Sequence, residues 1–127
     1  MIVAIYGRVL KPNHVPYVNL LFQALLEADA KVLVVKAFLD QLKENENIER
    51  SDFDGFTNHD DLINKNAEYL ISLGGDGTLL DTLPYIQNSN IPIIGINLGR
   101  LGFLASTAKE NIGVAIHALK NKSYKSD

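Results

Sequence analysis

Tyr69-Leu70-Ile71-Ser72-Leu73-Gly74-Gly75-Asp76-Gly77-Thr78-Leu79-Leu80 begins as an apolar run of strand character, passes through three glycines in four positions, and resumes as an apolar pattern of helical spacing. A strand that turns through glycines into a helix is a common way to build a phosphate site. Glycine permits unusual backbone angles and close approach, and a helix start offers unpaired N–H groups. The unusual member is Asp76, a carboxylate where an anion would be welcomed. It makes sense if it takes a proton from an attacking hydroxyl, or helps to hold a Mg²⁺ that accompanies phosphates. Either role points to phosphoryl transfer.

A plainer account is a tight strand-to-helix turn, with an Asx-type bond at Asp76 and Thr78 as the helix cap. Two other glycine signatures are excluded by spelling. A dinucleotide fingerprint starting at Gly75 and Gly77 needs a glycine where Leu80 stands, and a P-loop needs a lysine that does not follow Gly77.

The rest of the composition narrows the class. A chain of 127 residues, 46% of them hydrophobic, is the material of one globular domain. A net charge of −3 and a pI near 5.5 argue against a nucleic-acid partner, which favours a basic face. The Lys120 to Lys125 cluster reads as solvated charge at a helix end. The absence of cysteine excludes disulfides, thiolate zinc sites and a cysteine nucleophile. No apolar run approaches the ~20 residues that span a bilayer, so no membrane partner is expected. The start Met1-Ile2-Val3-Ala4-Ile5-Tyr6 lacks the features of a signal peptide, and a cytoplasmic location is the simplest expectation. His14, His59 and His117 have no ligand-like spacing, and no side chain is assigned to a metal.

Outward from the glycine loop, the chain reads as alternating strands and helices. Ile2 to Tyr6 predicts a buried strand ended by Gly7, and Arg8 to Asn13 a strand-to-helix loop. Val18, Leu21, Phe22, Leu25 and Leu26 mark one helix face, with Pro16 in its first turn. Val32 to Val35 predicts a second strand, and Phe38 to Leu42 a weakly helical segment that gives way to a polar stretch. Ser51 to Asp61 shows no period and is expected to be irregular, with a short helix near Asp61 to Lys65. After the strand Tyr69 to Leu73, a helix is expected from Thr78 to Ile86, kinked or shortened by Pro84. Ile91 to Asn97 is continuous and apolar, as in a parallel strand buried on both faces. Thr107-Ala108-Lys109-Glu110 spells a capping box ahead of a helix bearing Ile112, Ala115, Ile116 and Leu119. The expected fold is α/β: a doubly wound, mainly parallel sheet with helices on both faces.

A second glycine loop, Leu98-Gly99-Arg100-Leu101-Gly102-Phe103, follows the Ile91 to Asn97 strand. Ligands bind beyond the carboxyl ends of such strands, so the two loops predict one pocket. Arg100 is suited to pair with phosphate and Phe103 to cover a base. Together, Gly74-Gly75-Asp76-Gly77-Thr78-Leu79-Leu80, the strand Ile91 to Asn97 and Gly99-Arg100-Leu101-Gly102-Phe103-Leu104 make the chain resemble an NAD kinase. The first motif is shared with diacylglycerol kinases and, in variant form, phosphofructokinases. The second motif at this distance separates NAD kinases from them. The resemblance runs from Met1 to about Tyr124.

The resemblance implies transfer of the terminal phosphate of ATP, or in some members of polyphosphate, to the 2′-hydroxyl of the adenosine ribose of NAD, with a divalent metal, usually Mg²⁺. Asp76 would be the catalytic base. Gly74, Gly75, Gly77 and Thr78 would lie against NAD and the phosphates. Asn97, Arg100, Leu101 and Phe103 would complete the dinucleotide site. Asp81 stands where many relatives carry a basic residue or histidine, which alters any phosphate contact there. NAD kinases continue into a second, β-rich domain, so residues 1–127 are expected to be a single nucleotide-binding domain, inactive alone. A homo-oligomer is expected for the full-length enzyme. The alternatives are a diacylglycerol- or sphingosine-type lipid kinase domain, and a non-catalytic nucleotide-binding module.

Overall fold

Apolar runs without polar alternation are stable as strands only where both faces of the sheet are covered. That is how these runs are used in a computed structural model that describes residues 1–74, 76–98, 107–108 and 111–120, with the backbone alone at 76, 107 and 108. β1 (Ile2–Gly7), β2 (Lys31–Val35) and β4 (Tyr69–Gly74) form its centre, and Val3, Ala4, Ile5, Leu33, Val34, Leu70 and Ile71 have no exposed surface. Each such aliphatic side chain contributes roughly 1.5–3 kcal/mol on burial, apart from the smaller alanine. β3 (Asp54–Phe56), β5 (Ile93–Asn97) and β6 (Thr107–Ala108) complete a six-stranded sheet in the order β3-β2-β1-β4-β5-β6. Every neighbouring pair is parallel.

Helices lie on both faces of this sheet. Adjacent β1 residues point to opposite sides. Tyr6 meets Tyr85 on one side, with ring centroids 5.4 Å apart, in α5 (Leu83–Ile86). At Gly7, on the other side, a Cβ would lie 2.8 Å from the Phe38 ring of α2 (Lys36–Glu44). Gly7 is therefore glycine because an aromatic ring occupies its side-chain space. α1 (Val15–Glu27) buries Val15, Val18, Leu21, Phe22 and Leu25 and carries Pro16 in its first turn. α6 (Ile112–Lys120) buries Ile112, Ile116 and Leu119 and packs against α1.

Four local expectations are corrected. The stretch expected to be irregular holds β3, and the short helix expected near Asp61 to Lys65 is α3 (His59–Asn64), which begins two residues earlier. Tertiary pairing of Asp54, Gly55 and Phe56 with Leu33, Val34 and Val35 makes a strand from residues with little strand pattern of their own. The helix expected from Thr78 to Ile86 is two helices, α4 (Asp76–Asp81) and α5, joined at Thr82. Proline in a continuous helix would clash with the carbonyl four residues back, so Pro84 sits in the first turn of a new helix instead. Thr82 is fully buried at the joint and donates its hydroxyl to the Leu79 carbonyl at 2.6 Å. The capping box is not used as such: Thr107 and Ala108 pair with Ile96 and Asn97, and α6 begins at Ile112. Lys109 and Glu110 lie outside the described residues. The weakly helical segment after β2 is a full helix, α2, which follows the strand directly.

Candidate functional site

The strand order reverses between β1 and β4: successive strands run outward from β1 on one side, and β4, β5 and β6 lie on the other. In an open parallel sheet this is where a crevice opens beyond the carboxyl ends. β1 ends at Gly7 and β4 at Gly74, with Gly7 opposite Leu73 and Gly74 opposite Asn97 of β5. The glycine loop thus starts from the switch point itself.

Gly74 is fixed by conformation as well as space. Its φ is +146°, and a Cβ there would lie 2.5 Å from Oγ1 of Thr78. Thr78, 7% exposed, is not a cap but the third residue of α4, folded over the end of β4. The backbone of Asp76 opens α4 directly after the loop. Asn97, 3% exposed, ends β5 beside Gly74. Gly75, Arg100, Leu101 and Phe103 lie outside the described residues.

A residue with no assigned role enters the crevice from β1. Arg8 follows Gly7, and its Nε donates to Oδ2 of Asp81 at 2.8 Å. A Cβ on Gly77 would stand 3.4 Å from Nη1 of Arg8, so the guanidinium lies along the bare flank of α4. The Arg8 backbone is held in turn. Gln41 of α2 donates Nε2–H to the Arg8 carbonyl at 2.7 Å and accepts the Leu10 amide at 2.9 Å. Sequence reading missed Arg8 because Asp81 lies far away along the chain, and only the strand order brings them together.

Tyr6 lies near Asp81 in the same cleft. Burial, followed by the charge of Asp81 and the neighbouring Tyr85, pushes the Tyr6 phenol above its usual value. A cleft of about 550 Å³ opens beside this group, walled in part by Tyr6, Thr57, His59, Asp81 and Tyr85. His59 Nδ1–H donates to the Tyr85 carbonyl at 2.6 Å, joining α3 to α5 across the cleft floor. No group of three or more His, Asp or Glu able to hold a metal occurs among the described residues. No helix among them is long and apolar enough to cross a membrane.

A family model described as the ATP-NAD kinase N-terminal domain matches residues 3–124. The chain belongs to the ATP-NAD kinase family. Among its relatives, the NAD kinase of Cytophaga hutchinsonii is 40% identical over 125 residues, covering 98% of this chain and 42% of that protein. The NAD kinase of Flavobacterium psychrophilum is 39% identical over 124 residues, with the same coverage. The chain therefore spans less than half the length of these curated relatives. Among solved structures, yeast NADH kinase complexed with NADH shares the fold with a TM-score of 0.72 at 21% identity, covering 94% of this chain and 38% of that one.

Proposed function

We propose that the protein is an NAD kinase and that this chain is its nucleotide-binding α/β domain, with the phosphoryl donor received at the β1–β4 switch point. The observation that carries the reading is family membership over nearly the whole chain, with the Gly74 to Thr78 loop emerging at the crevice of the sheet. Asp76 takes the proton of the 2′-hydroxyl of the adenosine ribose of NAD. The hydroxyl oxygen bonds to the terminal phosphorus of ATP or polyphosphate as the bond to the bridging oxygen breaks, leaving NADP and a donor shortened by one phosphate. Catalysis of this kind rests on in-line positioning and charge stabilisation.

The residues present suit Mg²⁺ that arrives on the donor phosphates, because such ions take one or two carboxylates and keep several waters. When bound, it neutralises charge on the triphosphate. Gly74 and Gly77 let the phosphates approach the backbone. Arg100, Leu101, Phe103 and Asn97 are proposed to hold the dinucleotide. The relatives' greater length supports a further part of the enzyme closing over NAD, and a homo-oligomeric, cytoplasmic enzyme fits the same reading.

The test is NADP formation from ATP, Mg²⁺ and NAD, followed with an NADP-specific dehydrogenase. Asp76→Asn cannot accept the proton at neutral pH, so turnover should fall about 10²–10⁴-fold with the fold intact. Near-normal turnover of a folded Asp76→Asn protein would remove Asp76 from the chemistry.

A further inference from the structure

We infer that Arg8 is a phosphate-binding residue of this site, and that Asp81 holds its guanidinium in place until a polyphosphate chain takes it over; the inference rests on the kinase reading above. Three observations meet here. Arg8 emerges at the switch point beside Gly77, where the phosphates of the donor are expected. Its side chain is 56% exposed and its partner 37%, so the pair is open to a ligand. Its carbonyl accepts from Gln41, which also holds the Leu10 amide two residues on, so the backbone that leaves Arg8 is fixed.

Charge explains why the pair is needed. α4 begins with Asp76 and ends with Asp81. Two uncompensated carboxylates beside a phosphate site would repel the substrate. Arg8 cancels Asp81, so that carboxylate no longer repels an incoming phosphate. An exposed ion pair is worth at most about 1 kcal/mol, which makes it easy for a multivalent anion to open. A planar guanidinium suits phosphate because it presents parallel N–H donors to two oxygens.

The experiment is calorimetric titration of the full-length protein with inorganic triphosphate and, separately, with ATP, alongside NADP formation. Arg8→Gln should weaken both ligands about tenfold or more, the value of one charge-assisted contact, and leave NAD affinity unchanged. Arg8→Lys should recover part of the loss, and Asp81→Asn should bind triphosphate as tightly as wild type or more so. Weakening of triphosphate but not ATP would assign the contact to a polyphosphate donor; weakening of both assigns it to the phosphates common to the two. Wild-type affinity for both in Arg8→Gln, with NADP still formed by the unmodified protein, overturns this inference alone. A loss in Asp81→Asn as large as in Arg8→Gln also overturns it, because Asp81 would then be a ligand rather than a restraint. An unmodified protein that forms no NADP and binds neither anion overturns the kinase reading and this inference together.

Discussion

At the scale of single residues, two glycines of one loop carry different constraints. Gly74 combines a positive φ with a Thr78 side chain where its Cβ would be. Gly74→Ala should therefore cost about 1–3 kcal/mol in stability, read as a fall in the chemical-denaturation midpoint. Gly77 is the second residue of α4, and among the described residues a Cβ there would meet Arg8 Nη1 at 3.4 Å, an ordinary contact. Alanine is the better helix former by about 1 kcal/mol, so Gly77→Ala should leave stability unchanged or raised while weakening triphosphate binding. A large stability loss in Gly77→Ala would show that its role is in the fold. Phe103 lies outside the described residues, and its proposed place against the dinucleotide is tested by Phe103→Ala. The KM for NAD should rise without the ~3–5 kcal/mol stability loss of a buried phenylalanine.

At the scale of elements, what the sequence left illegible is as instructive as what it spelled. β1, β2, β4 and β5 were legible because each is an apolar run long enough to need cover on both faces. β3 was not, because Asp54-Gly55-Phe56 has neither alternation nor strand composition, and Lys65, just past the end of α3, ties it in place. Lys65 Nζ donates to Oδ2 of Asp54 at 3.0 Å and to the Gly55 carbonyl at 2.8 Å. Asn58 caps α3 by accepting the Asp61 amide at 2.8 Å, and Asp61 accepts the Thr57 amide at 2.9 Å. The Lys65 hydrogen bond holds the Asp54 carboxyl below its usual value. A carboxyl that is more acidic folded than unfolded adds stability above the ordinary carboxylate pKa, and that stability is lost as pH falls through the lowered value. The pair is largely exposed, so the contribution is at most about 1 kcal/mol and the titration itself is the better readout. By carboxyl NMR, Asp54 should titrate below the usual value in the parent protein and move back toward it in Lys65→Met. An unchanged titration would remove Lys65 as the tie.

At the scale of the whole molecule, the strand order decides what the local motifs cannot. The two glycine loops were legible as a pocket once the strands were read as parallel, but the contribution of β1 was not. It depends on β4 lying beside β1 after two intervening strands, which no local pattern states. The sheet has its own core, with Val3, Ile5, Leu33, Leu70 and Ile71 sealed at its centre. Residues 1–127 should therefore unfold cooperatively by themselves and bind triphosphate through Arg8 and the glycine loop. They should not phosphorylate NAD at a useful rate. In-line transfer needs acceptor and donor held together, and much of the rate comes from that positioning. Within the described residues, the crevice offers Arg8, Asp81 and the glycine flank of α4 to an anion. The curated relatives have more than half their length beyond the matched region. Residues 1–127 supplied with ATP, Mg²⁺ and NAD should form no more NADP than their Asp76→Asn variant, while triphosphate still raises their melting temperature. NADP formation that Asp76→Asn abolishes would show that this domain alone positions both substrates.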